Sequence, residues 1–190
     1  MRKVILLEHT SLDGYLAGND GDMEWIRVDD ETWDYVHPVI DAADTVIWGR
    51  VTYQMMEGYW PTAADRPDAT RHDVHHGRWL RDATKIVLSR SLTESSWPGT
   101  RILSGEPRDV VASLQREQGK NILVIGSASV ARSFIRSGVI DEYRLTINPV
   151  LLGQGTPLFP SESSKADLKL VSSKVLASGV VALHYESQRR

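Results

Sequence analysis

Residues 121–137 read NILVIGSASVARSFIRS. Asn121 to Ile125 forms one apolar run without polar alternation, the pattern of a strand buried on both faces. Gly126 breaks the run. Small residues follow (Ser127, Ala128, Ser129), and a helical segment runs to Ser137, where Gly138 stops it. A buried strand that feeds a helix through a glycine is half of a parallel crossover, and this unit sets the fold class.

The same grammar repeats outward from this stretch. Val4 to Glu8 reads as a first strand and Thr45 to Trp48 as a second, closed by Gly49 and followed by a short helix over 52–57. Lys85 to Ser89 and Arg101 to Leu103 read as further strands. Pro107 suits a helix start, with Val110, Val111 and Leu114 as the apolar face and Gly119 as the stop. Tyr143 to Val150 is another strand. Leu168 to Leu176 and Val180 to Glu186 flank Ala177-Ser178-Gly179 as a hairpin. Asp29 and Asp30 are N-cap candidates for a helix bearing Trp33, Val36 and Ile40, which Pro38 is expected to kink or delay. The segment 58–78, with Pro61 and Pro67, reads as a polar surface loop with a helical turn near Arg71. The expectation is an α/β fold in three layers. A mixed, mostly parallel central sheet carries helices on both faces and ends in an antiparallel hairpin, all within one domain over 1–190.

Composition narrows the function classes. The 190 residues are 41% hydrophobic and 25% charged, with a net charge of -3. A strongly basic nucleic-acid binder is not indicated. The chain has no cysteine, which excludes thiol nucleophiles, disulfides and thiolate metal sites. The apolar run after Met1-Arg2-Lys3 is too short for a signal core or a membrane span, so the expected location is cytoplasmic, with no membrane partner.

Several motifs could carry chemistry. Gly49-Arg50-Val51-Thr52-Tyr53 follows a buried strand. It reads either as a phosphate site built from helix amides and a guanidinium or as a plain strand–helix turn. Ser89-Arg90-Ser91 suits a second phosphate or a polar turn. Gly126-Ser127-Ala128-Ser129 suits a pyrophosphate at a helix start or close helix–sheet packing; it is not G-x-G-x-x-G. Asp13, in Ser11-Leu12-Asp13-Gly14-Tyr15, is a turn residue or a ligand to a polar substrate group. Pro149 to Gly155 is a loop or a pocket lining. His72, His75 and His76 lie in the segment read as a loop, without the three or four ligands a zinc site needs, and no metal is expected. The serines lack a G-x-S-x-G elbow. The tryptophans, Trp25, Trp33 and Trp60 among them, are core and pocket-wall candidates.

In this order the motifs resemble the dihydrofolate reductase-like superfamily, in the branch of the reductase domain of the bacterial riboflavin-biosynthesis deaminase-reductase. The carrying pieces are 11–15, 47–53, 85–92, 125–128, 140–143 and 149–155. The resemblance implies an eight- or nine-stranded mixed sheet, NADPH as hydride donor, a small-molecule substrate and a homodimer. It implies that Gly49, Arg50 and Thr52 contact the cofactor's diphosphate and 2′-phosphate region. Ser89 and Arg90 would sit near the adenosine 2′-phosphate, and Gly126, Ser127, Ala128 and Ser129 would hold the diphosphate. Asp13, Trp25, Leu152 and Gly153 would face substrate and nicotinamide. The family's helix acid falls near Asp30 and Asp34, which makes Asp13 and Asp30 the catalytic candidates. Dihydrofolate reductases proper carry a Gly-Gly pair where this chain has Gly126-Ser127. The implied reaction is hydride transfer to a pterin-like or ribosyl-aminopyrimidine substrate. The alternative is a non-catalytic dimeric nucleotide-binding module.

Overall fold

A central sheet of eight strands organises the fold. The computed structural model describes residues 1–159 and 165–188. The strands are β1 (Val4–Ser11), β3 (Ala43–Gly49), β4 (Thr84–Leu88), β5 (Thr100–Leu103), β6 (Asn121–Ile125), β7 (Glu142–Asn148), β9 (Leu168–Val175) and β10 (Val181–Ser187). Two further strands, β2 (Tyr15–Ala17) and β8 (Thr156–Pro157), pair with each other in a small antiparallel sheet. The sheet runs in the order β5-β4-β3-β6-β1-β7-β10-β9; the six strands from β5 to β7 are mutually parallel, and β10 and β9 add antiparallel pairs at one side. The expected α/β class, the mostly parallel sheet and the terminal hairpin are all present.

Helices cover both faces because the strands are apolar on both. One face packs Val110, Val111 and Leu114 of α4 (Pro107–Arg116) and Val130, Ala131 and Phe134 of α5 (Ala128–Ser137) against strand residues such as Leu6, Ile47 and Val124. The other receives Val36, Val39 and Ile40 of α1 (Asp30–Asp41) over Ile5 and Leu7. There Tyr53 of α2 (Arg50–Ala63) and Leu80 of α3 (Arg71–Asp82) pack over Val46, Trp48 and Val87. At the far side β9 is an edge strand, and all eight of its residues are exposed. No helix among the described residues is long and apolar enough to cross a membrane.

The segment 58–78 differs from the expected loop. α2 continues through Pro61 to Ala63, and α3 begins at Arg71 behind a Thr70 capping box. Pro61 lies in the last turn of α2. The buried side of α3 is made of His72, His76, Gly77 and Leu80, so two rings that count as polar in a hydropathy pattern supply its packing face. α1 likewise runs unbroken from Asp30 with Pro38 inside it, its first turn held by the Asp29 carboxylate.

Candidate active site

Parallel strands put the ends of β4, β3 and β6 side by side, and with them Ser89-Arg90, Gly49-Arg50 and Gly126-Ser127. The turns after β3 and β6 are bonded to each other. Gly49 N–H donates to Ser127 Oγ at 3.0 Å, and Thr52 Oγ1 donates to the Gly126 carbonyl at 3.1 Å. A Cβ on Gly49 would lie 3.2 Å from both Ser127 Oγ and Ser129 Oγ, so glycine permits this close approach. The serine that replaces the second glycine of the reductase pair is therefore part of the joint. Ser127 is buried, and its hydroxyl is spent on the neighbouring turn.

The expected phosphate ligands separate into two groups. The Gly49 and Gly126 amides face inward, the latter donating to Glu8 Oε2 at 3.0 Å. With Ser127 they build the platform. Arg50, Thr52, Ala128 and Ser129 lie in the opening turns of α2 and α5, which begin with neither a side-chain cap nor an acidic residue in the first turn. Those turns retain amide donors and the positive end of the helix dipole. Arg50 is exposed, with Nη1 donating to Gln54 Oε1 at 3.1 Å. Ser89 Oγ accepts from the Ser91 and Leu92 amides at 3.1 and 2.9 Å, holding the turn that presents Arg90. Arg90 lines a cleft of about 310 Å³ with Ser104, Glu106, Ser129 and Ser133. Two guanidiniums and two open helix starts along one edge can bind an extended polyanion.

The loops after β1 and β7 meet beside this platform. Leu12 N–H donates to the Val150 carbonyl, and the Asp13 carboxylate accepts from Ser11 Oγ (2.7 Å), Leu152 N–H (3.1 Å) and Gly153 N–H (2.7 Å). Gly155 has φ +139°, and a Cβ there would sit 2.1 Å from the Ala17 carbonyl, so only glycine lets β8 close on β2. Trp25 is half-buried and donates through Nε1 to the Asp22 carbonyl at 3.0 Å. Its segment is tied to the end of β7 by Arg27 N–H donating to Asn148 Oδ1.

These contacts fix the surroundings of the two catalytic candidates, Asp13 and Asp30. The Ser11 hydroxyl, then the Gly153 amide, hold the Asp13 carboxyl down to about 2, so it is an ionised staple. Asp30 is exposed and bound by His72 Nε2 (2.8 Å) and Arg71 (3.2 Å). The His72 bond, then the Arg71 charge, lower it below the usual carboxylate range. The histidines, expected in a polar loop, lie instead on α3. His72 stacks on Trp33, His75 on His37, and His76 packs against Trp60. His75 Nε2 meets Asp41 Oδ1 at 2.8 Å.

Two functional candidates missed in the sequence lie within β1. Glu8 is buried beneath the Gly126 turn, and burial pushes its carboxyl up to about 8. His9, on the opposite face, contacts Thr146 Oγ1, and burial pushes its ring down to about 4. The legible signal was a carboxylate and an imidazole directly after the apolar run Val4 to Leu7.

Comparison with known proteins places this geometry in a family. The family model described as RibD C-terminal domain matches residues 2–182. The Bacillus subtilis (strain 168) uncharacterized protein YyaP is 31% identical over 97% of this chain and 94% of its own length. The pyrimidine reductase-like protein of Corynebacterium diphtheriae has a TM-score of 0.72 at 16% identity, covering 100% of this chain and 93% of that one. A Thermotoga maritima diaminohydroxyphosphoribosylaminopyrimidine deaminase/5-amino-6-(5-phosphoribosylamino)uracil reductase has a TM-score of 0.70 at 17% identity. That match covers 98% of this chain and 56% of the larger protein. On its sequence and its fold, the chain belongs to the RibD C-terminal domain family.

Proposed function

We propose that this chain is a cytoplasmic NADPH-dependent reductase. Its substrate would be pterin-like or a ribosyl-aminopyrimidine of the 5-amino-6-(5-phosphoribosylamino)uracil type. The observation that carries the reading is the pair of uncapped helix starts, α2 and α5, flanked by Arg50 and Arg90 on one strand edge. The nicotinamide, when bound, supplies the hydride. The chain's own residues bind and orient. The first-turn amides of α2 and α5, around Thr52, Ala128 and Ser129, take the diphosphate, while Gly49, Gly126 and Ser127 hold the platform. Arg50, with Ser89 and Arg90, takes the 2′-phosphate, where planar guanidiniums pair well with phosphate oxygens. Asp13 fixes Leu152 and Gly153 on the substrate side, with Trp25 as a wall. With Asp13 and Asp30 ionised, the proton that accompanies the hydride comes from a bound water. A homodimer would cover the exposed strand β9, where Leu170, Val171 and Val175 face solvent.

The test is cofactor titration. Arg50→Ala and Arg90→Ala are each expected to weaken NADPH about ten-fold or more, the value of one charge-assisted phosphate contact, and NADH much less. Equal losses for both cofactors overturn the assignment. A second reading, a dimeric nucleotide-binding module without turnover, is favoured by one observation: neither of the two candidate acids, Asp13 and Asp30, is held as a proton donor. NADPH binding without its oxidation across pterins and ribosyl-aminopyrimidines selects that reading.

A further inference from the structure

Glu8 carries a carboxyl into the middle of the sheet. It is 3% exposed and pairs with Leu145 of β7. Strand alternation sets it on the face of Leu6 and Thr10, under the start of α5. Oε2 accepts from Gly126 N–H at 3.0 Å, while Oε1 is buried with no hydrogen-bond partner. A leucine here would serve the core better, because burying a half-satisfied carboxyl is costly. A residue that weakens the core while holding a ligand-binding turn has the signature of function.

Main-chain amides, and no cationic side chain, act on this carboxyl. On the same face, β6 contributes Val124, β7 Tyr143, Leu145 and Ile147, and β10 Leu183 and Tyr185. α5 contributes the Ser127 amide and Val130, and its Arg132 reaches away to the Pro157 carbonyl. His9 and Arg144 lie on the opposite face.

We propose that Glu8 is a positioning residue for the phosphate turn. As a neutral carboxyl it clasps the Gly126 amide and aims α5 at the dinucleotide. On ionising, it sets a negative charge beneath the diphosphate and lowers cofactor affinity. This rests on the NADPH reading above. Burial brings the ionisation up to about 8, within an accessible range.

The experiment compares NADPH binding by wild type and Glu8→Gln from pH 6 to 10, alongside thermal melts without cofactor. Gln keeps an oxygen for Gly126 N–H but cannot ionise. Wild-type Kd is expected to be flat below pH 7 and about five-fold or more weaker by pH 9.5, a typical coupling between two sites. Glu8→Gln is expected to be flat throughout. In the melts, the unfolded carboxyl ionises near its ordinary 4.5 while the folded one holds its proton to about 8. Wild type therefore loses Tm as pH rises from 5 to 8, and Glu8→Gln loses less. Glu8→Met, of similar length, repeats the comparison if Gln fails to fold; it should bind NADPH weakly and without pH dependence. Parallel binding profiles, or equal melt slopes, in wild type and Glu8→Gln overturn the proposal. No NADPH binding by either protein at any pH is a different result: it overturns the cofactor reading, and this proposal falls with it.

Discussion

α1 and α3 start differently from α2 and α5. α1 and α3 satisfy themselves: Asp29 and Thr70 accept from first-turn amides, and Asp30, Glu31 and Asp73 place acids at the positive end of each dipole. Their shared seam is closed by His72–Asp30, Arg71–Asp30 and His75–Asp41 pairs and by stacked rings. α2 and α5 have neither a side-chain cap nor an acid in their own first turns; guanidiniums lie beside them, and the Glu8 carboxyl lies beneath the Gly126 turn. A helix start already filled by its own chain has little left for a ligand, while an open one has donors and field to spare.

Ser129→Asp is the sharpest way to break this contrast, because it gives α5 the acid that α1 and α3 already have. Like-charge contact with the diphosphate costs several kcal/mol, so NADPH binding by titration should fall about a hundred-fold or more. Tm should hold or rise slightly, since an N-terminal acid suits the dipole by about 0.5 kcal/mol. Retained affinity would mean that α5 does not face the cofactor.

The closed seam should answer to acid. Burial holds the His76 ring down to about 3, against 6.5 when unfolded. The unfolded chain therefore binds the extra proton first. This stability is full above pH 6.5 and is lost as pH falls toward 3. Between pH 7 and 5 the loss is about 2 kcal/mol by chemical denaturation, and His76→Leu should remove most of it. An unchanged slope in that variant would deny His76 a buried, neutral place in the seam.

The smallest effect belongs to the caps. Asp29→Ala and Thr70→Ala should each cost about 1 kcal/mol of stability and leave NADPH affinity unchanged. A cap deletion that weakened binding as much as stability would erase the distinction between the two kinds of start.

The contrast also explains which parts were legible in sequence. The strand-to-glycine-to-helix units at 45–53 and 121–137 announce themselves because buried parallel strands are apolar without interruption. β6 and α5 accordingly match their expected bounds closely. α3 stayed hidden because its buried face is built from His72 and His76, and hydropathy does not register an imidazole packed on tryptophan. β1 was expected to end at Glu8 but runs on to Ser11, because a carboxylate ordinarily marks a surface. At the site, the motifs that converge were readable, yet their inward or outward facing was not. Nothing in Gly-Ser-Ala-Ser says that Ser127 turns its hydroxyl to Gly49, or that the Gly126 amide points at β1. Such partners are 78 and 118 residues apart, and local pattern carries no record of them.

The paired loops after β1 and β7 have a consequence for redesign. The 12–17 and 150–158 segments are stitched together by Asp13 to Leu152 and Gly153, by the Leu12–Val150 and Leu158–Gly14 backbone bonds, and by β2 on β8. Neither lip can be transplanted alone without stranding its partner's donors. A graft that seeks a new substrate scope has to carry both, about 140 residues apart in the chain, as a single inherited part.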